Sequence, residues 1–302
     1  MSEITLRQLE YFVAVADAGT VTAAAGTLHL SQSALSMALS DLERALDVQL
    51  LVRGRRGVHL THAGEGVLSD SRRLIAGVAD LHDSARDFQE SMSGRLVVGC
   101  YGTLSPLLLP AVVDAFTRDH PKVDLSIVEG SHELLEEKLR SGVLDVALLY
   151  DYGRTYFASE RALAAEPLVT SAPYVLLPPD HPLTSRKAVM LQQLVDEPLI
   201  LFDLSPGGEY FLSLFDEAGL KPSVRFRTTS YELVRALVAR GLGYAILSQR
   251  TKVATSYEGL HYEVRELKGK HPGLTVHAVT LGDVPQTRRT QAFIAQCKRS
   301  WA

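Results

Sequence analysis

Small hydrogen-bonding side chains open the stretch from Ser31 to Glu43, which reads SQSALSMALSDLE. Its leucines recur with the spacing of one helix face, and the first turns of the other face carry Gln32, Ser33 and Ser36. A glutamine can make a two-point contact with the edge of adenine, and a serine can donate to or accept from several base edges. This pattern favours a helix whose N-terminal end enters the major groove of DNA. The alternative is a protein-facing helix with a polar first turn, which Ser31 as an N-cap fits equally well.

A basic turn follows this helix. Arg53, Arg55 and Arg56 lie in the sequence RGRR, between two short predicted strands within residues 48–61. Such a hairpin would be a wing whose arginines contact phosphates or the minor groove, which positions a protein on DNA without specifying the sequence. The alternative is a solvated turn. The overall charge does not indicate DNA binding, because the net charge is −4 and the first sixty residues carry five arginines against six acidic residues.

The residues before Ser31 predict two further helices. A first helix covers the apolar positions from Leu6 to Ala16 and ends at Gly19, and an alanine-rich helix covers residues 20–28, with Thr20 or Thr22 as a cap. Only two residues separate the second helix from the third. A connection this short makes the helices cross steeply, which is the helix-turn-helix arrangement.

A heptad pattern follows the predicted wing. A helix capped by Thr61 should run to about Met92, with Gly94 ending it. The pattern predicts a pairing seam and therefore a dimer of this chain, whereas the alternative is a helix packed on its own domain. The repeated positions of the seam are Leu60, Val67, Leu74, Leu81 and Phe88, with Ser71, Val78 and Ala85 between them.

Strands and helices alternate after Gly94, which predicts a parallel-rich α/β region. The first set includes the strands at residues 95–100 and 144–150, and a second set begins near Pro173. A binding cleft is expected where the carboxyl ends of the strands meet helix N-termini.

The first ~65 residues resemble the LysR-type transcriptional regulators, and the rest resembles the effector domain of that family more loosely. The resemblance implies an N-terminal winged helix-turn-helix, a dimerising linker helix and two α/β lobes like those of periplasmic binding proteins. It also implies a homotetramer and a small-molecule co-inducer in the cleft. The matching residues are Ala23, Ala24, Ala25, Leu28, Ser31, Gln32, Ala34, Ser36, Leu42, Glu43, Leu50, Arg53, Leu60, Thr61, Ala63 and Gly64, with LRSGVLDVALL and VARGLGYAIL further on.

We therefore expect an effector-responsive transcriptional regulator that binds double-stranded DNA at an inverted repeat as a dimer of dimers, with RNA polymerase as a further candidate partner. Two positions depart from the family pattern, since many members carry proline where Ser33 stands and arginine where Met37 stands. The missing cation at Met37 should weaken phosphate affinity. The predicted DNA-facing residues are Thr22, Ser31, Gln32, Ser33, Ser36, Met37, Arg53, Arg55 and Arg56.

The expected domains are the winged helix-turn-helix at 1–60, the linker helix at 61–92 and the effector domain at 93–302. Lobe I is expected to comprise 93–163 and 268–302, and lobe II 164–267. Hydroxyl and backbone N–H groups in the cleft would suit an anion such as a carboxylate, although each hydroxyl could instead cap a helix, as Ser105 could. The predicted effector-binding residues are Tyr101, Gly102, Thr103, Ser131, Tyr150, Phe202, Asp203, Ser205, Thr228 and Thr229.

Few features of the sequence support other functions. We recognise no acid/base pair, nucleophile elbow, dinucleotide fingerprint or metal-ligand spacing, so we expect neither an enzyme nor a cofactor. No secretory signal and no membrane span are recognised, so a cytoplasmic location is expected. Two alternatives stay open: an α/β region that only mediates assembly, and thiol redox sensing by Cys100 and Cys297, the only two cysteines.

Overall fold

The N-terminal domain forms because three short helices bury one apolar face each. The computed structural model describes residues 4–54, 57–87, 92–152, 162–282 and 284–301. Phe12, Leu35 and Leu42 are fully buried at the centre of the domain. The elements are α1 (Leu6–Ala18), α2 (Val21–Thr27), α3 (Gln32–Leu46), β1 (Leu51–Gly54) and β2 (Gly57–Leu60), with β1 and β2 paired as an antiparallel hairpin. The predicted helix-turn-helix and wing are confirmed.

Side chains fix where these helices begin. The Thr20 Oγ1 accepts a hydrogen bond from Ala23 N at 3.2 Å, and the Ser31 Oγ accepts one from Ala34 N at 3.1 Å. Thr20 therefore caps α2, and Thr22 does not. Gly19 ends α1 in the left-handed region, with φ at +67°.

A long helix, α4 (His62–Asp87), connects the two parts of the chain. Thr61 caps it as predicted, because its Oγ1 accepts a hydrogen bond from Gly64 N at 2.9 Å. The helix is described as far as Asp87, and residues 88–91, which include Phe88, lie outside the described residues. Leu60 and Val67 pack against the N-terminal core, so the first two positions of the predicted seam belong to the protomer itself.

Lobe I contains one mixed five-stranded sheet with the order β4-β3-β5-β13-β6. The strands β3, β4 and β5 are parallel, and β13 runs antiparallel to β5 and β6. Its elements are β3 (Ser93–Tyr101), α5 (Ser105–Asp119), β4 (Lys122–Gly130), α6 (His132–Arg140), β5 (Val146–Asp151), β6 (Leu163–Ser171), β13 (Leu274–Leu281) and α9 (Arg288–Trp301).

Lobe II is built on the remaining strands. Four of them form one sheet in the order β11-β7-β12-β8. The parallel pair β9–β10 adjoins this sheet, because Ile200 N donates a hydrogen bond to Tyr244 O at 2.8 Å. Its elements are β7 (Tyr174–Leu177), β8 (Ala188–Val189), β9 (Pro198–Phe202), α7 (Gly207–Glu217), β10 (Ser223–Thr228), α8 (Tyr231–Ala239), β11 (Ala245–Leu247) and β12 (Glu263–Leu267). The predicted fold class, two α/β lobes behind a winged helix-turn-helix, is confirmed.

The structure corrects two local predictions. The strand β6 pairs along its whole length with β13, so lobe I extends to Ser171 and the crossing into lobe II follows that residue rather than residue 163. Ser105 does not cap α5. It is the first residue of that helix, and its Oγ donates to the Glu129 carboxylate at 2.5 Å.

Candidate DNA-binding and effector sites

The N-terminal end of α3 presents the polar groups that the sequence predicts. Gln32 and Ser33 are exposed and Ser36 is half-buried, while Leu35 and Leu39 pack into the core. The Oγ atoms of Ser31 and Ser33 lie 3.1 Å apart, and Ser31 also caps the helix. The helix therefore holds its apolar face against the domain and leaves its first turns open to a groove.

Two further predicted DNA-facing residues are exposed on the same domain. Met37 is 65% exposed on α3, an unusual position for a large apolar side chain. An apolar group at the groove can contact the methyl group of thymine. Thr22 is exposed in the first turn of α2.

The wing is held against α3 by Glu43, a functional position that we did not predict. One carboxylate oxygen of Glu43 accepts hydrogen bonds from Leu50 N at 2.8 Å and Leu51 N at 3.0 Å. At the other side of the hairpin, Val58 N donates to Gly19 O at 2.8 Å. These bonds fix the hairpin relative to the recognition helix. Of the predicted wing arginines, Arg55 and Arg56 lie outside the described residues, as does the Arg53 side chain.

The effector cleft is closed around its own aromatic side chains. The cavity between the lobes has a volume of about 10 Å³, the space of about one water molecule. Tyr101, Thr103, Tyr150 and Phe202 were predicted and line it. The lining residues absent from the predicted site are Tyr152, Phe211, Tyr231, Leu247, Ser248, Gln249 and Leu274.

Hydrogen bonds between the lobes hold the cleft closed. The Tyr101 hydroxyl donates to Leu204 O at 2.9 Å, and the Tyr150 hydroxyl donates to the side-chain oxygen of Gln249 at 3.3 Å. The Ser205 Oγ donates to Glu133 Oε1 at 2.7 Å. Each pair joins a residue of lobe I to a residue of lobe II.

The other predicted cleft residues do not line the cavity. Ser131 caps α6, and Asp203 forms an ion pair with Arg227 at 3.1 Å. The Thr228 Oγ1 accepts a hydrogen bond from Ser230 N at 3.1 Å. The remaining three are Gly102, Ser205 and Thr229, of which Ser205 forms the bond to Glu133.

Burial favours the uncharged forms of two tyrosines that line the cleft and of the nearby His132. It raises the pKa values of Tyr101 and Tyr150 far above the ordinary phenol value. It also lowers the pKa of His132, in the first turn of α6, although the nearby carboxylates of Glu136 and Glu133 act in the opposite direction. The interior of the cleft thus offers neutral hydroxyl and ring groups at neutral pH.

The two thiols have the opposite of a reactive setting. Cys100 and Cys297 are both fully buried. Burial raises the pKa of the Cys297 thiol to about 12 and that of the Cys100 thiol further. Because the thiolate is the reactive form, both side chains act as small apolar residues of the lobe I core.

Comparison with known families decides the identity of the fold. The model of the bacterial regulatory helix-turn-helix protein, lysR family, matches residues 6–65, and the model of the LysR substrate binding domain matches residues 89–302. The chain belongs to the LysR family. It is a DNA-binding transcriptional regulator with a domain for a small-molecule effector.

Individual LysR-family proteins resemble the whole chain. The regulator AlsR of Bacillus subtilis is 27% identical over 95% of this chain and 98% of its own length. A crystal structure of the PA01 protein, a LysR family regulator of Pseudomonas aeruginosa, is 31% identical over 100% of both chains, with a TM-score of 0.66. A full-length OxyR variant from the same organism is 26% identical over 98% of both chains, with a TM-score of 0.78.

The relatives are transcriptional regulators rather than enzymes. Among the described residues no group of three or more histidine, cysteine and acidic side chains could hold a metal ion. Within the same residues, no helix combines the length and the apolar composition needed to cross a membrane.

Proposed function

We propose that two copies of this LysR-family chain, paired through α4, insert the N-terminal ends of their α3 helices into successive major grooves of an inverted-repeat operator. The observation that carries this proposal is the exposed polar first turn of α3, formed by Gln32 and Ser33 above the buried Leu35. Paired recognition helices require a site whose symmetry matches that of the dimer.

Within this site we assign base contacts to one set of residues and backbone contacts to another. Gln32, Ser33 and Ser36 read base edges, and Met37 contacts the groove with its apolar side chain. Ser31, Thr22 and the wing arginines contact the sugar-phosphate backbone of the DNA and fix the position of the protein along the duplex. The wing residues are Arg53, Arg55 and Arg56.

The pairing seam is the exposed part of α4. Leu74 is 57% exposed and Leu81 is 68% exposed, although both are large apolar side chains on a regular helix. Burying them against a second copy, together with Val78, removes this apolar surface from water. We propose that two such dimers bind DNA together as a dimer of dimers, in contact with RNA polymerase.

The effector binds between the lobes and replaces the contacts that now close the cleft. Tyr101, Thr103, Tyr150 and Phe202 supply its hydroxyl and ring contacts. The hydroxyls of Ser131 and Ser205, which suggested a carboxylate, are already engaged as a cap and as a donor to Glu133. An anionic effector therefore remains a prediction from the sequence.

Selection of duplexes from a randomised pool by the full-length chain, followed by footprinting, tests this function. We expect enrichment of one inverted repeat and two protected patches on one face of the DNA, one helical turn or a multiple of it apart. Enrichment of no sequence, or of a site without two-fold symmetry, would contradict it.

A further inference from the structure

Helix α6 contacts lobe II at one end and the linker helix at the other. Glu133, in its first turn, accepts the hydrogen bond from Ser205 of lobe II at 2.7 Å. At its C-terminal end, the Ser69 Oγ of α4 donates to Arg140 O at 2.6 Å, and Arg72 Nη1 of α4 donates to Ser141 O at 3.0 Å. The nine residues of α6 span about 13 Å.

The contact with α4 completes the end of α6. The last carbonyl groups of a helix have no partner within the helix and need donors from elsewhere. Here Ser69 and Arg72 supply them. The following residue, Gly142, has φ at +67°, and a Cβ there would lie 3.2 Å from the Cβ of Arg72. The backbone of lobe I therefore lies directly against the linker helix at this point.

Arg72 also contacts the DNA-binding domain. Its Nη2 forms an ion pair with Asp17 in the last turn of α1, and only 15% of the Arg72 side chain is exposed. Gly19, which ends α1, accepts the hydrogen bond from Val58 N of the wing. The rigid guanidinium fork can hold two oxygens in a fixed relation, and here those oxygens belong to lobe I and to α1.

We infer that Arg72 is a positioning residue that couples the effector cleft to the DNA-binding domain through α6. This inference rests on the proposed function, because it assumes that the state of the cleft governs DNA binding. Loss of the Ser205–Glu133 bond releases the first turn of α6 from lobe II. Because α6 is a rigid element whose other end is tied to Asp17 by Arg72, a change in its direction changes the orientation of α1 against α4.

A double-mutant cycle in the full-length chain tests this coupling on the duplex that the wild-type chain selects. Ser205→Ala should change the Kd for that duplex by at least about five-fold. In the Arg72→Gln or Arg72→Lys background the same change should alter the Kd by less than about two-fold. Arg72→Lys keeps a cation beside Asp17 but cannot hold both oxygens, so it carries the test if Arg72→Gln folds poorly.

A matched control and a second readout separate coupling from general damage. Arg118→Gln removes an arginine whose ion pair with Asp114 lies within α5, and it should leave the effect of Ser205→Ala intact. Ser205→Ala should also alter amide hydrogen exchange in the last turn of α1, and this response should vanish in both Arg72 variants. Equal effects of Ser205→Ala in all backgrounds, or no effect in the wild type, would overturn the inference. Failure of the wild-type chain to select any duplex would instead overturn the proposed function.

Discussion

Tyr101 of lobe I donates a hydrogen bond from its hydroxyl to the main-chain oxygen of Leu204 in lobe II, at 2.9 Å. Two other bonds between the lobes, Tyr150 to Gln249 and Ser205 to Glu133, accompany it. The cleft is therefore closed by the chain itself, around a cavity of about 10 Å³. A ligand larger than a water molecule does not fit this closed cleft and must bind to an open state. Its apparent affinity therefore depends on the fraction of molecules in the open state.

Removing two of these bonds should populate the open state. A hydrogen bond contributes about 1 kcal/mol of net stability, so Tyr101→Phe combined with Ser205→Ala should raise the open-to-closed ratio by at least about ten-fold. The distribution of distances between spin labels on the two lobes should then contain an additional population at longer distance, which is the open state. Tyr262→Phe is the control, because the hydrogen bonds described for that hydroxyl, to Arg235, Thr251 and Val253, all lie within lobe II. An unchanged distance distribution in the double variant would mean that other contacts close the cleft.

Glu43 should be needed to hold the wing. Glu43→Ala leaves Leu50 N, which is buried, and Leu51 N without their acceptor, and each unsatisfied group costs about 1–3 kcal/mol. We expect a lower midpoint of thermal unfolding and weaker binding to every duplex tested. Glu43→Gln retains an oxygen acceptor and should lose much less. Equal losses of thermal stability and DNA affinity in the two variants would show that the charge of Glu43, rather than its hydrogen bonds, holds the wing.

The exposed seam of α4 should control assembly. Leu74→Glu combined with Leu81→Glu would place unpaired carboxylates between paired helices, a cost too large for the interface to bear. Sedimentation should show loss of one interface without loss of the folded protomer. Ala79→Glu, on the opposite side of the same helix, should sediment as the wild type does. If the double variant assembles normally, α4 is not the pairing helix.

Stability should fall on mild acidification because of two histidines. Burial lowers the pKa values of His132 and His277 below the ordinary value of 6.5. The unfolded chain then binds protons more readily than the folded chain as the pH drops through that value, so folding free energy is lost progressively once the pH falls below about 6.5 and until the folded histidines also bind protons. Thermal unfolding should show this loss, and His132→Gln with His277→Gln should reduce it. A double variant with the full pH dependence of the wild type would assign the effect to other groups.

Local signals made the DNA-binding domain predictable. Caps such as Thr20 and Ser31 act within three residues, and the leucine spacing of α3 defines its buried face without reference to the rest of the fold. Glu43 could not be found in this way, because its partners in the wing depend on how the hairpin packs. The lobe boundary was wrong for a related reason: the pairing of β6 with β13 joins segments about a hundred residues apart, and no local pattern encodes it.

The cleft was only partly predictable. Reading the ends of the strands located Tyr101, Thr103, Tyr150 and Phe202, which line the cavity. The same reading could not locate Gln249, because that residue follows β11 in a turn whose position depends on the packing of lobe II. Hydroxyl-bearing residues were over-assigned, since short polar side chains satisfy nearby backbone groups first, as Ser131 does in capping α6.

Gln32→Ala tests whether the first turns of α3 read the bases of the operator. Binding of the full-length chain should be measured on the selected duplex and on a series with each base pair of one half-site replaced. We expect Gln32→Ala to weaken binding to the selected duplex by about 1–3 kcal/mol and to remove the preference at a single base pair. Gln291→Ala, an exposed glutamine in the first turns of α9, should bind as the wild type does. Unchanged affinity and unchanged base preference in Gln32→Ala would show that α3 does not read the operator through its first turns.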